Sequence, residues 1–397
     1  MSDAYNPFGT MRVLIFLYIL VLLGRTGQSR CSSFCECKQR RTLVDVTCTD
    51  LDDMPQDLPC NTVLLNLKSN SITALKKESF SCLGSLVELL LSNNRIRLIE
   101  KGVFEDATQL EYIELDSNFL QMIPYLGTLP ALLKLSVNRN SLKEWQQQTL
   151  RDPSGTRLSS LKLAFNKLQN LPKISFRVLS LDLEGNAIRD ISTTIFAYPK
   201  LISNLCISYN NIEYLEKAQT MKNLKVLSLE YNYIKSISET LFTCFPSIKR
   251  IYLQGNKIVD VSSFRNMQRL EFISLKDNQI RFVGEPAFTN ISKTETVILN
   301  GNKIDQFSND IFFDAPYCLG LNSNNILTLD ALYGRNHSNV HFLNVDKNYL
   351  RSISVIYCLP RNSKAYNLDL SDNEIKVISN DSFDKQQQFW ISSFSSS

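Results

Sequence analysis

The sequence predicts an α/β solenoid in which short parallel strands stack side by side and form the concave face of a curved sheet. Two observations predict it. Residues 224–234 carry apolar side chains at Leu224, Leu227, Leu229 and Ile234 and an asparagine at Asn232, which is typical of a short strand followed by a turn. This pattern recurs along most of the chain. Each unit is too small to bury its own apolar side, so stacked units are expected to share one core.

An asparagine marks each unit, with an aliphatic residue three positions before it and another two positions after it. An amide both donates and accepts hydrogen bonds, so we expect it to satisfy backbone groups that would otherwise be buried unpaired. The spacing of 20 to 26 residues predicts about fourteen repeats, marked by Asn70, Asn94, Asn118, Asn140, Asn166, Asn186, Asn210, Asn232, Asn256, Asn278, Asn302, Asn324, Asn348 and Asn373.

Residues 1–29 are predicted to be a secretory signal peptide. An apolar run of eleven residues at 13–23 follows Arg12, small or polar residues follow the run, and Met11 is a possible true start. An N-terminal membrane anchor is the less favoured alternative, because eleven residues are too few to span a bilayer comfortably. No later stretch reaches 18 apolar residues.

Residues 30–60 are predicted to be a cysteine-rich cap over the first coil, whose exposed apolar end needs covering. Cys31, Cys35, Cys37 and Cys48 form the spacing C-x3-C-x-C-x10-C. Zinc is a poor alternative, since there is no C-x2-C and no nearby histidine. The spacing resembles the N-terminal cap of extracellular leucine-rich-repeat proteins, and this resemblance implies disulfides between Cys31 and Cys37 and between Cys35 and Cys48.

Residues 61–380 are predicted to hold the repeats. The lead-in at 53–73 and the alternation of shorter and longer units resemble the small leucine-rich proteoglycans, the decorin and chondroadherin group. Cys60 and Cys82 lie in adjacent coils at nearly the same repeat position, so a disulfide between them is sterically reasonable, with free thiols as the alternative. Longer units can hold a helical turn over a buried phenylalanine, and the expected core phenylalanines are Phe80, Phe104, Phe196, Phe242, Phe288 and Phe312.

Residues 357–366 resemble the opening of that family's C-terminal cap, in which a later cysteine closes a disulfide. No cysteine follows Cys358, so residues 381–397 are predicted to be an atypical tail that leaves the last coil poorly sealed. This departure is consistent with a secreted chain or with an incomplete product whose missing part carried a membrane anchor. Cys206 and Cys244 have no assigned partner, and pairing of Cys318 with Cys358 is disfavoured by a separation of nearly two repeats.

The sequence contains no recognisable catalytic constellation. The two histidines, His337 and His341, have a spacing that could hold a metal on a helix, but His341 opens a strand and His337 lies in a glycosylation sequon. No G-x-S-x-G motif, no phosphate loop and no nucleophile with a base is visible. We therefore expect neither an enzyme nor a cofactor nor a metal. Sequons predict glycosylation at Asn290, Asn336 and Asn380.

Strand side chains alternate, so residues between the buried leucines are predicted to point to the concave face. Tyr209 and Tyr231 hold equivalent positions in consecutive coils and are expected to stack. Tyrosine is favoured at protein interfaces because it offers a large contact area with little entropy to lose; for any single residue, an ordinary solvated strand position is the alternative. The candidate ligand-binding residues are Tyr112, Glu114, Asp116, Asp182, Glu184, Tyr209, Glu230, Tyr231 and Tyr252.

The resemblance, which covers roughly residues 31–375, implies a secreted, non-catalytic protein of the extracellular matrix. Its expected partner is collagen or a secreted signalling protein, bound through the concave face. The rival expectation is the ectodomain of a Toll-like or other recognition receptor, truncated before its membrane segment. The 43 basic and 39 acidic residues are well mixed and predict no nucleic-acid partner.

Overall fold

A computed structural model describes residues 33–150, 157–191, 196–216, 218–262, 264–284, 287–308, 317–329, 342–353, 367–378 and 390–391. The strands are β1 (Cys35–Arg40), β2 (Leu43–Cys48), β3 (Thr62–Asn66), β4 (Ala74–Leu75), β5 (Glu88–Leu90), β6 (Leu98–Ile99), β7 (Tyr112–Glu114), β8 (Lys134–Ser136), β9 (Arg157–Lys162), β10 (Arg177–Asp182), β11 (Asn204–Cys206), β12 (Tyr214–Leu215), β13 (Val226–Ser228), β14 (Ser236–Ile237), β15 (Arg250–Tyr252), β16 (Phe272–Ser274), β17 (Phe282–Val283), β18 (Thr296–Ile298), β19 (Gln306–Phe307), β20 (Cys318–Gly320), β21 (Phe342–Asn344), β22 (Ser352–Ile353), β23 (Asn367–Asp369), β24 (Val377–Ile378) and β25 (Trp390–Ile391). Three 3-10 helices span Lys77–Phe80, Pro199–Leu201 and Leu241–Cys244.

One sheet of 17 strands runs along the molecule and confirms the predicted solenoid. After the antiparallel pair of β1 and β2, each strand pairs in parallel with the strand of the next coil. The register is constant: Leu205, Leu227 and Ile251 are partners across β11, β13 and β15. These central residues are almost completely buried, whereas their strand neighbours are partly exposed. One face of the sheet therefore covers the core and the other, the open face, meets solvent.

The predicted asparagine ladder is complete. In all fourteen units the asparagine Oδ1 accepts a backbone N–H of the preceding coil, at 2.8–3.1 Å. Its Nδ2 donates to a carbonyl of the preceding coil, at 2.8–3.0 Å. The same nitrogen also donates to the carbonyl three residues before it. Each amide thus joins two coils.

The return side of the coils carries little regular structure. Four two-stranded parallel sheets, β4–β6, β12–β14, β17–β19 and β22–β24, occur there. The helices described are 3-10 turns, because coils of 20 to 26 residues leave few residues after the strand and its turn. The expected core phenylalanines are buried: Phe80 and Phe104 pack edge to face at 4.9 Å, and Phe196, Phe242 and Phe288 are also inside. Phe312 lies outside the described residues.

The N-terminal cap is the hairpin of β1 and β2, whose second strand joins β3 and extends the main sheet. Val44, Val46 and Cys48 of β2 are buried and close the end of the core. A disulfide joins Cys35 to Cys48, as the resemblance implies. Cys37 is also disulfide-bonded, but its predicted partner Cys31 lies outside the described residues.

The predicted disulfide between Cys60 and Cys82 is not formed in the structure. Both are free thiols, exposed to solvent. They are nevertheless adjacent: burial and a hydrogen bond with Cys60 raise the pKa of Cys82 to about 11. A thiol of such high pKa is almost wholly protonated at neutral pH, and the protonated form does not attack a disulfide. Cys206, Cys244 and Cys318 are free thiols as well.

Part of the predicted C-terminal tail continues the sheet. Strand β25 pairs in parallel with β23, with Trp390 opposite Asn367, so at least these residues extend the solenoid beyond the predicted repeat region. Asn290, predicted to be glycosylated, is exposed, and its Nδ2 donates to Asn266 Oδ1 at 2.7 Å. The predicted signal peptide at 1–29, Cys358, His337, His341 and the sequons at Asn336 and Asn380 lie outside the described residues. Across the described ranges, no helix has the length and apolarity needed to cross a membrane.

Candidate functional site

The predicted binding residues occupy four positions of the repeat unit, on the open face of the main sheet or at its edge. Residues six, four and two positions before the ladder asparagine lie on this face, and the residue just before the asparagine lies in the turn at its edge. Tyr112 and Glu114, for example, are half-buried and flank the buried Ile113. This alternation follows from the two-residue period of a strand. Asp116, Asp182, Glu184 and Glu230 occupy equivalent partly exposed positions.

Glu114 is held by a network of polar side chains from three coils. Lys68 approaches it at 2.9 Å, the Tyr112 hydroxyl donates to it at 2.7 Å, and the Ser92 hydroxyl donates as well. Burial alone would raise the pKa of Glu114, but these three partners together lower it. Burial and the same carboxylate raise the pKa of Tyr112. Glu114 is therefore an ionised group whose charge is already neutralised within the chain.

Asp116 also has its partners inside the chain. Its carboxylate accepts hydrogen bonds from the Ser136 hydroxyl and from the backbone N–H of Asn138, both at 2.7 Å. Asn138 repeats the arrangement one coil later, where its Oδ1 accepts the N–H of Ala164 at 2.7 Å. Both side chains thus stabilise neighbouring turns, and they offer less free hydrogen-bonding capacity to a ligand than the sequence suggested.

The centre of the open face is acidic. Asp182, Glu184 and Cys206 bring a carboxylate oxygen or the sulfur of each side chain within 4.8 Å of one another. Glu230 lies beside them and is bonded to the Ser208 hydroxyl and to Gln254 at 3.3 Å. Burial raises the pKa of Glu184, and repulsion from Asp182 and Glu230 raises it further. In the part of the chain that the structure describes, no lysine or arginine forms an ion pair with these three carboxylates.

Cys206 was not predicted as a site residue, although its position between two acidic coils could be read from the repeat frame. Burial raises the pKa of its thiol to about 11, and Asp182 and Glu230 add to the shift. The thiol is therefore protonated at neutral pH and donates a weak hydrogen bond to Ser208 Oγ at 3.7 Å. With the nearby carboxylates it is the one cluster of potential metal ligands found within the described ranges.

The stacking predicted for Tyr209 and Tyr231 is confirmed. Their ring centroids are 4.5 Å apart with an 18° angle between the planes. Neither residue lies within a strand, however: both follow the last strand residue and have positive φ, 54° and 51°. They project from the turn at the edge of the open face and remain exposed, Tyr209 at 49% and Tyr231 at 46%. The pair borders the acidic centre.

The nine predicted residues form three groups rather than one surface. The first is Tyr112, Glu114 and Asp116. Two coils separate it from the second group, which is Asp182, Glu184, Tyr209, Glu230 and Tyr231. In the third, Tyr252 packs against Phe272 of the next coil at 5.1 Å. Gln254 lies on the same coil as Tyr252 and donates a hydrogen bond to Glu230 at 3.3 Å, which connects the third group to the second.

Two further residues of the second group were missed. Phe165 is 40% exposed and lies on the same edge as the tyrosines, and the Arg139 guanidinium lies 4.7 Å from its ring centroid. Both precede a ladder asparagine, as Tyr209 and Tyr231 do. Reading that position along all the repeats would have found them.

Comparison with known proteins agrees with the repeat architecture. A family model described as leucine rich repeat matches residues 60–120 and 203–258. Leucine-rich repeat-containing protein 3 of Danio rerio is 34% identical over 131 residues, which are 32% of this chain and 49% of that protein. Epiphycan of Homo sapiens is 28% identical over 176 residues, or 44% of this chain and 51% of the relative. The chain thus spans about half the length of these two relatives.

Solved structures share the fold over most of the chain. A chain of the Toll–Spatzle complex of Drosophila superposes with a TM-score of 0.67 at 18% identity, covering 87% of this chain and 51% of that one. The LRIM1/APL1C complex gives a TM-score of 0.60 at 19% identity, covering 88% and 60%. The recurring strand, the complete asparagine ladder and these matches together identify the fold as a leucine-rich-repeat solenoid.

Proposed function

We propose that this chain is a secreted, non-catalytic binding protein of the extracellular matrix that takes collagen or a secreted signalling protein on its open sheet face. One observation carries the proposal. The second group on that face combines the carboxylates of Asp182, Glu184 and Glu230, which form no ion pair among the described residues, with the exposed stacked pair Tyr209 and Tyr231. Acidic groups next to exposed aromatic rings suit a protein partner with basic segments.

The contrast with the first group supports this choice. Glu114 is neutralised by Lys68, and Asp116 is occupied by Ser136 and Asn138. A carboxylate that already has partners within the chain gains little binding free energy from a cationic ligand. At Glu184, by contrast, burial and like charges raise the pKa, so an incoming cation relieves repulsion when it binds. The second group is therefore the part of the open face where contact with a basic partner contributes the most binding free energy.

The test is expression of the full chain in secreting cells, followed by co-precipitation of the soluble protein with fibrillar collagen. We expect the wild type to co-precipitate and the variant Tyr209→Ala/Glu230→Ala/Tyr231→Ala to remain in the supernatant. The matched control is Tyr214→Ala/Tyr233→Ala. These tyrosines are exposed to a similar extent, 52% and 46%, but lie outside the main sheet beside Lys235 and Lys257. Equal losses in both variants would contradict binding through the open face.

The second candidate is the ectodomain of a recognition receptor for a secreted protein. The structural match to a chain of the Toll–Spatzle complex favours it. Its test is affinity capture on the wild-type chain from conditioned medium, compared with capture on the Tyr209, Glu230 and Tyr231 variant. A soluble protein held by the wild type alone, together with no retention on collagen, would select this candidate over the matrix protein.

A further inference from the structure

The residue just before each ladder asparagine forms a column along the edge of the open face, which we call the rim column. All fourteen of these residues have positive φ, between 51° and 71°. The column consists of Ser69, Asn93, Ser117, Arg139, Phe165, Gly185, Tyr209, Tyr231, Gly255, Asp277, Gly301, Ser323, Lys347 and Asp372. Because the backbone is the same in every coil, side chains of this column leave the turn in a repeated direction.

The aromatic side chains of the rim column lean over the following coil. A Cβ placed on Gly185 would come within 2.5 Å of Phe165 Cδ1, and one on Gly255 within 2.5 Å of Tyr231 Cδ1. Arg139 leans in the same way, since its guanidinium lies over the Phe165 ring. Tyr209 and Tyr231 are 4.5 Å apart, about one strand spacing, so Tyr209 leans as Tyr231 does.

This common lean leaves a gap beside Gly185. The Phe165 ring occupies the level of Gly185, and the Tyr209 ring occupies the level of Tyr231. Because each rim side chain leans over the next coil, a side chain at position 185 would fill the intermediate level, that of Tyr209. Glycine has no side chain, so this level stays empty. The two rings are therefore separated by about two strand spacings, ~9.5 Å. A planar cation midway between the rings would lie ~4.75 Å from each, within the ~6 Å over which a cation is attracted to a ring face and close to the 4.7 Å between the Arg139 guanidinium and Phe165.

The inner side of this gap carries negative charge. Glu184 directly precedes Gly185, and Asp182 lies two residues earlier on the sheet. Neither has an ion-pair partner among the described residues. The aromatic walls are open to solvent, with Phe165 at 40% and Tyr209 at 49% exposure. The guanidinium of Arg139 already rests on the other side of Phe165, so the chain itself provides an example of the contact.

We propose that the gap between Phe165 and Tyr209 is a slot for an arginine side chain of the partner, whose guanidinium stacks between the two rings and pairs with Glu184. The inference rests on the proposed function and deepens it, because it names the residue that the partner must present. Guanidinium fits better than ammonium: it is planar, is weakly hydrated and can form two parallel hydrogen bonds to a carboxylate. The partner is thus a protein segment with an accessible arginine in extended conformation.

The experiment measures binding of synthetic peptides to the full chain by fluorescence anisotropy at constant ionic strength. The probes are three labelled peptides of alternating serine and a basic or neutral residue: arginine, lysine or citrulline. We expect the arginine peptide to bind about five- to tenfold more tightly than the lysine peptide of equal charge, and the citrulline peptide to bind weakly. Phe165→Leu, which keeps an apolar side chain but removes the ring, should abolish the preference for arginine, as should Tyr209→Ala.

The controls separate the slot from the charge of the open face. Glu184→Gln should weaken both basic peptides. Phe119→Ala should change neither, although Phe119 is exposed and also lies beside a guanidinium, that of Arg97 at 5.5 Å. Thermal unfolding of each variant verifies that it is folded. Equal affinity for arginine and lysine peptides, or a preference that survives in Phe165→Leu and Tyr209→Ala, would overturn the slot while leaving the collagen test of the proposed function intact. No binding of either basic peptide would also overturn it.

Discussion

At the residue scale, Asn210 shows how one side chain holds two coils together. Its Oδ1 accepts the N–H of Ile188 at 2.9 Å, and its Nδ2 donates to the carbonyls of Leu183 and Ile207. All of these backbone groups lie next to the core, where water does not reach them. A buried backbone group without a partner destabilises a fold by about 1–3 kcal/mol. The recurrence of this amide in every coil therefore has an energetic reason within the fold.

Replacement of this amide tests that account. We expect Asn210→Ala to lower the free energy of unfolding by about 1–3 kcal/mol, because the Ile188 N–H loses its partner. The carbonyls of Leu183 and Ile207 each keep a second hydrogen bond, from Asn186 and Asn232. The control is the adjacent Asn211→Ala. Asn211 is exposed, and its loss should change stability by less than about 0.5 kcal/mol. Urea titration followed by circular dichroism measures both, and similar midpoints for the two variants would refute the role given to the ladder.

Glu184 and Glu114 predict opposite responses to pH. The folded-state pKa of Glu184 is raised above its ordinary value of 4.5 by burial and by the charges of Asp182 and Glu230. A raised pKa means that the ionised form destabilises the fold. Stability associated with this group is present at low pH and is lost as the pH rises through the folded-state pKa. Glu184→Gln should therefore raise the thermal midpoint near pH 7, with little change at about pH 4.

Glu114→Gln is the matched comparison. Here the pKa is lowered below 4.5 by Ser92, Tyr112 and Lys68, against the effect of burial. Stability from this group is present at neutral pH and is lost as the pH falls. The variant should lower the thermal midpoint near pH 7 and approach the wild type in acid. A shift of the same sign for both variants would contradict the electrostatic difference between the two groups.

At the scale of the element, the turn after each main-sheet strand imposes a backbone conformation that most residues avoid. Positive φ is easily adopted by glycine and destabilises other residues by about 1–2 kcal/mol each. Eleven of the fourteen rim-column positions nevertheless hold other residues. Two features favour glycine at position 255: its φ is +71°, and the Tyr231 ring occupies the space where a side chain would lie.

A double-mutant cycle separates these two effects. Gly255→Ala should destabilise the protein by about 1–2 kcal/mol through backbone strain, with an added loss from the displaced Tyr231 ring. In the Tyr231→Ala background, Gly255→Ala should cause only the destabilisation that comes from backbone strain. Gly84→Ala is the control, because a Cβ there meets nothing closer than 3.7 Å. Chemical denaturation of the four proteins of the cycle gives the coupling, and a coupling of zero would show that the ring does not depend on Gly255.

At the scale of the whole molecule, the solenoid is held by contacts between neighbouring coils. Across the ranges that the structure describes, strands pair with strands of adjacent units, and each ladder amide forms hydrogen bonds to the coil before it. Among the described residues, one cluster of buried side chains reaches from Val44 to Leu370. Such an array should tolerate deletion of a complete unit better than deletion of part of a unit. Only deletion of a complete unit keeps the strands and turns of neighbouring coils aligned.

Deletion of a complete coil tests this property. Residues 257–278 form one period of 22 residues between two ladder asparagines. We expect the chain without them to be secreted and to keep the far-ultraviolet circular dichroism of a folded solenoid. Deletion of 257–267, half a period, should place strand residues opposite turn residues and prevent folding. Comparable secretion of the two deletion variants would contradict a strictly periodic core.

The repeat period could be predicted from the sequence because each residue that marks it has a single structural role. Leu227 and Leu229 fill the core, and Asn232 bonds the neighbouring turn. Contacts of equivalent residues in successive coils could also be predicted, as for Tyr209 with Tyr231. The binding face was less predictable: Glu114 and Asp116 resemble Asp182 and Glu184 in sequence, yet their charges are satisfied by side chains one or two coils away.

The sequence by itself therefore determined the solenoid, its register and its buried side, because a local pattern repeated at a constant period leaves one way to stack the units. Only the tertiary structure decided which exposed groups are free and which meet each other. The lean of Phe165 over Gly185, the protonated Cys206 among carboxylates and the contact of two unbonded thiols at Cys60 and Cys82 all depend on turn conformation and side-chain direction. These are properties of the space between coils, and the pattern within a coil does not encode them.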